Sequence, residues 1–318
     1  MERVVVVGTG AVARALVPAL VARGTQVRVR SRSAERAAAF CEELGLRASA
    51  APDRAGSTGG KDLLPESQDS LGASPPAGAA WTPEGDEPVL DGLLLFAVPD
   101  RVIASAAQAA ALRGDRPEAA LHLSGYHDSG VLAPLAASCA RLGFAHPLGS
   151  FPPDGPPLAP GLTWCCGGST EGAAAAAAEL SCHLGGRPLQ LREAEGSKAR
   201  YHAAASLVAG GAAALLHLAE QLAADAVEDP AALRAGLTDL LASMLENARA
   251  HGPLAALTGP AARGDDAVVE GHLAAMDPAT AAVYRALLEP MRAMAAARAA
   301  VRPPSGAPAA TEPRSAQP

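Results

Sequence analysis

The chain has 318 residues, 49% of them hydrophobic, and a formal charge of −7. That size implies about two domains with ample core material. Residues 48–88 hold seven acids and two bases, so the remainder is nearly neutral, which argues against nucleic acid or an anionic membrane as partner. The five cysteines Cys41, Cys139, Cys165, Cys166 and Cys182 contain no C-x-x-C pair, and neither a metal site nor a disulfide framework is expected. With no charged and apolar leader before the first strand, reduced thiols and a cytoplasmic location are expected.

Val4-Val5-Val6-Val7 reads as a strand buried on both faces. The Gly8-Thr9-Gly10-Ala11-Val12-Ala13 that follows can turn the chain sharply into a helix closed by Gly24. Such a turn binds a dinucleotide: the first glycine permits the bend, the second lets backbone approach a pyrophosphate, and Ala13 is small enough for helix to pack on strand. The phosphates then face free N–H groups and the positive end of the helix dipole. The alternative is a plain strand-to-helix connection.

A second strand, Gln26 to Arg30, ends in Arg30-Ser31-Arg32-Ser33, where an NAD-preferring fold places an acid against the ribose 2′-hydroxyl. Two arginines and two serines suit a 2′-phosphate instead, so NADP is the expected cofactor; otherwise these are solvated strand-end charges. A helix from Ala34 to Leu44 follows. Residues 48–88, rich in Pro, Gly, Ser and Asp, form an expected disordered insertion without chemistry.

Leu93 to Val98 is another strand buried on both sides, ending in Pro99-Asp100. Because ligands gather at the carboxyl ends of parallel strands, Val98, Pro99 and Asp100 are expected to face the cofactor. The strand Ala119 to Leu123 ends in Ser124-Gly125-Tyr126-His127, and Phe144 to His146 ends in Pro147-Leu148-Gly149-Ser150-Phe151. These ends point to one cleft, with Ser124, His127 and His146 as candidates for contacting substrate. Leu162 to Cys166 and Pro188 to Leu191 extend the sheet around a helix from Glu171 to Leu184. The adjacent Cys165 and Cys166 point to opposite faces as small core residues.

From about residue 197 the pattern is helical: 197–225, 230–250, 266–276 and 278–299. The run from Ala203 to Ala219 raises the question of a membrane span, but Ala, Gly and His217 favour a buried helix. These helices are expected to form a second domain that dimerises, ahead of a frayed Pro/Ala-rich tail.

Of 26 basic residues only Lys61 and Lys198 are lysine. A lysine in ordered structure, where the chain otherwise writes arginine, suggests a proton donor, which arginine cannot be. Lys198 and His202 share a helix face with Tyr201 alongside, as reduction of a carbonyl or imine requires. The plainer reading is a surface lysine and a core histidine. A second cluster, Leu257 to Asp266 with His272, joins two helices through Gly, Pro, Arg and Asp. Arg263 could clamp a carboxylate or phosphate, while Asp265 or Asp266 could simply cap a helix.

Taken in order, the motifs Gly8-Thr-Gly-Ala-Val-Ala13, Ser31-Arg-Ser33, Val98-Pro-Asp100, His122-Leu-Ser-Gly125, His146-Pro-Leu-Gly-Ser-Phe151, Tyr201-His-Ala-Ala-Ala205 and Leu257 to Asp265 with His272-Leu273 carry a resemblance. The sequence resembles the bacterial Rossmann-like proteins with a C-terminal domain of unknown function 2520, over residues 1 to about 298 outside the insertion. That family resembles 6-phosphogluconate and β-hydroxyacid dehydrogenases and pyrroline-5-carboxylate reductase. The resemblance implies NADP binding, an all-helical second domain and a dimer; with the pattern along the chain this gives a doubly wound α/β NADP-binding domain at 1–191, an all-helical substrate and dimerisation domain at 192–300, and a disordered tail at 301–318. By the same resemblance Ser124-Gly125 and Lys198-x-x-x-His202 line the catalytic site, with histidine where dehydrogenase relatives carry asparagine. Tyr201, Arg263, Asp265 and His272 are the further substrate contacts expected. A Ser-Asn pair usual after the Tyr-His segment is replaced here by Ala209-Gly210. The expected function is an NADP-dependent oxidoreductase for a small carbonyl, imine or hydroxy acid held between the domains; the alternative is a non-catalytic NADP sensor acting through its helices.

Overall fold

The computed structural model describes residues 1–46, 88–153, 155, 157–192 and 194–301. The insertion, apart from Pro88, and the tail beyond Val301 lie outside the described residues. The chain divides into two compact units between Val208 and Ala209.

Among its described residues the first unit holds seven strands, most of them separated by helices along the chain. They are β1 (Arg3–Val7), α1 (Ala11–Val21), β2 (Gln26–Arg30), α2 (Ala34–Glu43), β3 (Leu93–Phe96), α3 (Asp100–Arg113), β4 (Ala119–His122), β5 (Leu142–Pro147), β6 (Thr163–Gly168), α4 (Glu171–His183) and β7 (Arg187–Gln190). One sheet results, in the order β2-β1-β3-β4-β5-β6-β7, the doubly wound fold read from the sequence. Alternate residues of a strand point to opposite faces, and both faces are covered. Val4, Val6, Leu93 and Leu95 pack with α1, α2 and α4, while Val5, Leu94 and Phe96 pack with α3 and the 3-10 segment Ser129–Leu135. Burial on both sides is why these strands are continuous apolar runs.

Neighbouring strands are parallel except β5 and β6, which run antiparallel with His146 opposite Cys165. The sequence reading extended the sheet here without giving the direction. A parallel return needs a crossover, usually a helix, and the described residues between Pro147 and Thr163 contain none.

An ion pair missed by the sequence reading ties β2 to α3. Arg30, expected as an open strand-end cation, is 4% exposed, and its Nη1 donates to Asp115 at 2.5 Å. Asp115 follows the left-handed Gly114 that ends α3 and also accepts the Val89 N–H at 2.7 Å. Burial lowers the Arg30 pKa and Asp115 opposes that shift.

The second unit continues α5 (Ser197–Ala223) and adds α6 (Pro230–His251), the short α7 (Pro253–Ala256) and α8 (Pro260–Arg263), α9 (Asp266–Ala274) and α10 (Pro278–Val301). Its described core is small: Ala261, Val269 and Leu288, with Leu273, Tyr284 and Met291 against them. Here the expectation of a buried Ala-rich helix fails. Lys198 is the only buried residue of α5, and its apolar window, of mean hydropathy 1.4, is long and apolar enough to cross a membrane by length and composition. Leu215, Leu222, Leu240 and Leu245 are exposed. Small residues gave the helix its apolar average, but the described residues supply no layer to cover it.

Breaking a buried ion pair from one side costs about 3–5 kcal/mol, whereas replacing both partners by apolar groups is often nearly neutral. Asp115→Leu should therefore lower stability by about 3 kcal/mol in urea denaturation, and Arg30→Met with Asp115→Leu should restore most of the loss.

Candidate active site

Gly8 follows β1 with φ +120°, and a Cβ there would collide with the Ala97 carbonyl oxygen. Its N–H donates to Arg30 O at 2.7 Å, while Ala97 N–H donates to Val7 O at 2.8 Å. The ends of β1, β2 and β3 are thereby held together. Gly10 precedes α1, and nothing lies within 4 Å of where its Cβ would be. No side chain caps α1 and no acid stands in its first turn, so the first amides, of Ala11 and Val12 among others, form an N-terminus suited to an anion. Ala13 is fully buried, as its place in the motif requires.

A groove of about 600 Å³ runs from Thr9 and Gly10 past Val98 and Pro99, with Ser31, Arg32 and Arg36 at the β2 end. Arg36, not singled out by the sequence reading, reaches Thr9 Oγ1 from Nε at 3.4 Å. Three predicted cofactor residues have other tasks. Arg30 lines the groove but has its charge engaged by Asp115. Ser33 caps α2, its hydroxyl accepting the Arg36 N–H at 3.3 Å and bonding to Glu35. Asp100 is exposed in the first turn of α3, where its charge complements the helix dipole. The open cradle at Gly10 and the exposed Arg32 and Arg36 fit a dinucleotide carrying an additional phosphate.

The ends of β4 and β5 bring a second set of side chains to the start of α5. His122, in no assigned role from sequence, is completely buried. Its Nε2 lies 2.9 Å from the Asp128 carbonyl, and its Nδ1 accepts the Ser124 N–H at 3.2 Å. A carbonyl only accepts, so the ring is neutral with its proton on Nε2. Burial first, then the nearby Lys198 and histidines, push its pKa down to about 3.

Ser124 also holds its own turn together. Its Oγ accepts the Tyr126 and His127 N–H groups, each at 3.0 Å, which engages both lone pairs in closing a turn. The Ser124 carbonyl instead receives Lys198 Nζ at 2.9 Å. Lys198 is 5% exposed, and its ammonium sits over the Phe144 ring at 3.9 Å and 5.4 Å from the Tyr201 ring centre. A cation enclosed by a carbonyl and aromatic faces is held by dipole and quadrupole together. The reading of Lys198 as a surface residue therefore fails.

His146 Nδ1 and Tyr201 OH are 2.8 Å apart. Burial chiefly, then Lys198 and His202, bring the His146 pKa down to about 4. Burial likewise raises the Tyr201 phenol, and its hydroxyl also bonds to Cys165. His202 stands 6.0 Å from His146, ring to ring, and no described group hydrogen-bonds its Nδ1. Gly125 lies under both: a Cβ there would strike His202 Nδ1 and crowd His146 Nε2. Ser124, Gly125, His146, Lys198, Tyr201 and His202 thus converge in the first unit. Beside them a cavity of about 430 Å³ is lined by Tyr126, His127, Asp128 and Lys198. In the second unit Arg263 Nε donates to Asp265 at 2.8 Å, so that Asp265, at the N-cap position of α9, pairs its side chain with arginine and makes no side-chain cap. There also His272 Nδ1 lies 3.0 Å from Tyr284 OH.

Phe144, His122 and Asp115 have no role in the sequence reading, and Cys165 is taken there only as a small core residue. A histidine inside an apolar strand was the available signal for His122; Phe144 looks like any core residue.

Because His122 and His146 titrate far below the ordinary value near 6.5, the unfolded chain takes up their protons first on acidification. Stability is then complete above pH 6.5 and falls toward pH 4, by up to about 1.4 kcal/mol per pH unit for each ring. Urea denaturation at pH 7.5 and 5.5 should show this loss, and His146→Asn should reduce it; equal stability at both pH values would refute the buried neutral state.

Residues 162–290 match the family model described as domain of unknown function 2520, and residues 3–58 match that of NADP oxidoreductase, coenzyme F420-dependent. No curated protein matches the chain by sequence. Among solved structures, one described as an NADP oxidoreductase from Bacteroides fragilis is similar at TM-score 0.64 and 19% identity, over 92% of this chain and 98% of that one. A protein from Thermotoga maritima reaches TM-score 0.64 at 22% identity, over 93% and 99%. The reductive aminase from Aspergillus terreus, in complex with NADPH and ethyl-5-oxohexanoate, reaches 0.56 at 17% identity, over 91% and 93%. Residues 3–58 are thus similar to NADP oxidoreductases and residues 162–290 to a domain of unknown function 2520, and the fold is shared with these solved structures.

Proposed function

We propose that the protein is an NADP-dependent oxidoreductase that moves a hydride between nicotinamide and a small carbonyl, imine or hydroxy-acid substrate. The observation that carries this reading is the ammonium of Lys198, held at the carboxyl end of β4 by the Ser124 carbonyl in the fold that also builds the glycine turn and its groove. The NADP-type family match and the NADPH-bound similar structure support it.

Gly10 and the α1 amides hold the pyrophosphate, and Arg32 and Arg36 hold the 2′-phosphate. Bound nicotinamide supplies or accepts the hydride. In reduction, Lys198 Nζ gives a proton to the carbonyl oxygen or imine nitrogen as the carbon gains hydride, leaving an alcohol or amine and a neutral lysine. The polar cavity beside Lys198 lets water return that proton. Gly125 sets the positions of His146 and His202, which orient the substrate. The exposed leucines of α5 and α6 support a homodimer through the helical unit.

A second reading, an NADP-binding sensor without turnover, is favoured by Ala209-Gly210 standing where the resembling family carries Ser-Asn.

In fluorescence titration NADPH should bind at least tenfold more tightly than NADH, and Arg32→Ala with Arg36→Ala should erase most of that preference, each lost charged contact being worth about 1.5–3 kcal/mol. Equal affinity for both cofactors would overturn the cofactor assignment. On a substrate found by screening oxo acids and cyclic imines against NADPH oxidation, Lys198→Met should lower kcat about 10²-fold or more and leave NADPH affinity unchanged. NADPH binding with no oxidation across the screen would select the sensor.

A further inference from the structure

We propose that His122 is a positioning residue for Lys198, acting through the turn from Ser124 to Asp128. The inference rests on the role given to Lys198 above only for its functional meaning; the geometry stands by itself.

The imidazole bridges the two ends of that turn. At one end the Ser124 N–H enters Nδ1 at 3.2 Å, and at the other the Nε2–H meets the Asp128 carbonyl at 2.9 Å. The turn is closed from inside by Ser124 Oγ, which takes the Tyr126 and His127 amides. Once amide and hydroxyl of Ser124 are both fixed, the peptide that follows has its direction set, and the Ser124 carbonyl points at Lys198 Nζ. The His122 ring also lies 5.9 Å from Phe144, centre to centre, whose face carries the ammonium. His122 thus supports both groups that seat the cation, without touching it through a hydrogen bond of its own.

The bridge needs a neutral side chain that offers one donor and one acceptor at this spacing. A protonated ring would present N–H to the Ser124 N–H, and an apolar side chain would leave a buried amide and carbonyl unmatched. Glutamine offers a donor and an acceptor on one planar group and can replace the pair; asparagine is too short to span both.

The two lysines of the chain make a direct test available. In protein carrying isotope-labelled lysine, the side-chain NMR signals are those of Lys61 and Lys198, assigned by Lys198→Met. The Phe144 ring face should displace the Lys198 ε-methylene signals upfield, and Phe144→Leu gives the position without that ring. His122→Leu is expected to move the signals most of the way to that position, with circular dichroism and NADPH affinity unchanged, and His122→Gln to hold them in place. If His122→Leu does not fold, His122→Asn is read for the same displacement. Lys198 signals unmoved in a folded His122→Leu or His122→Asn protein would overturn the proposal. Failure of the oxidoreductase reading would show separately, as absence of NADPH binding by the unaltered protein with these signals still displaced.

Discussion

An ammonium withdrawn from water must be given back its solvation by fixed groups, and the carboxyl end of the first unit is built around that demand. Lys198 receives a carbonyl from the β4 turn and an aromatic face from β5. Each supplier has its own requirement. The carbonyl is aimed only because the hydroxyl and amide of Ser124 are held elsewhere. The Phe144 ring can lie where it does only because β6 has Gly167 opposite, where a Cβ would strike it. Two strands and a turn are therefore specified by one charge, since a carbonyl dipole and a ring quadrupole stabilise a cation only at close range and in the right direction.

The groove at the other strand ends follows a different logic. Its floor is rigid: Gly8 packs against the Ala97 carbonyl, and Arg30 is locked to Asp115 beneath it. Its rim carries exposed cations, Arg32 and Arg36, on a helix start capped by Ser33. A buried ion pair contributes little net stability, but here it fixes the end of β2, so that the exposed arginines present their charge from a set position. Recognition of a phosphate by the rim thus depends on an arginine that takes no part in it.

Much of this was legible from sequence because the signals are local. The glycine turn, the strands buried on both faces and the helix stop at Gly24 depend on residues next to each other, and periodicity reports them. Lys198 was legible through its rarity. What was missed depends on distant partners: Asp115 is 85 residues from Arg30, and no local pattern marks an aspartate that will meet a strand-end arginine. The Ser124 hydroxyl shows a related limit. Its type and place suggested contact with substrate, but two neighbouring amides claim it, and only the turn's backbone path decides between these uses. The α5 expectation failed because hydropathy states what a helix prefers to meet and not whether the described residues around it supply that.

The reversed pairing of β5 and β6 has a consequence for how such a protein can diversify. His146 lies next to the end of β5 near the lysine, and the described residues of 148–162 hold no crossover helix. A parallel crossover would link any change in this connection to a layer of the core. The reversal uncouples them. Descendants of this chain could lengthen, shorten or recompose that segment and so reshape what borders His146, while the seven strands and the seat of the ammonium persist unaltered.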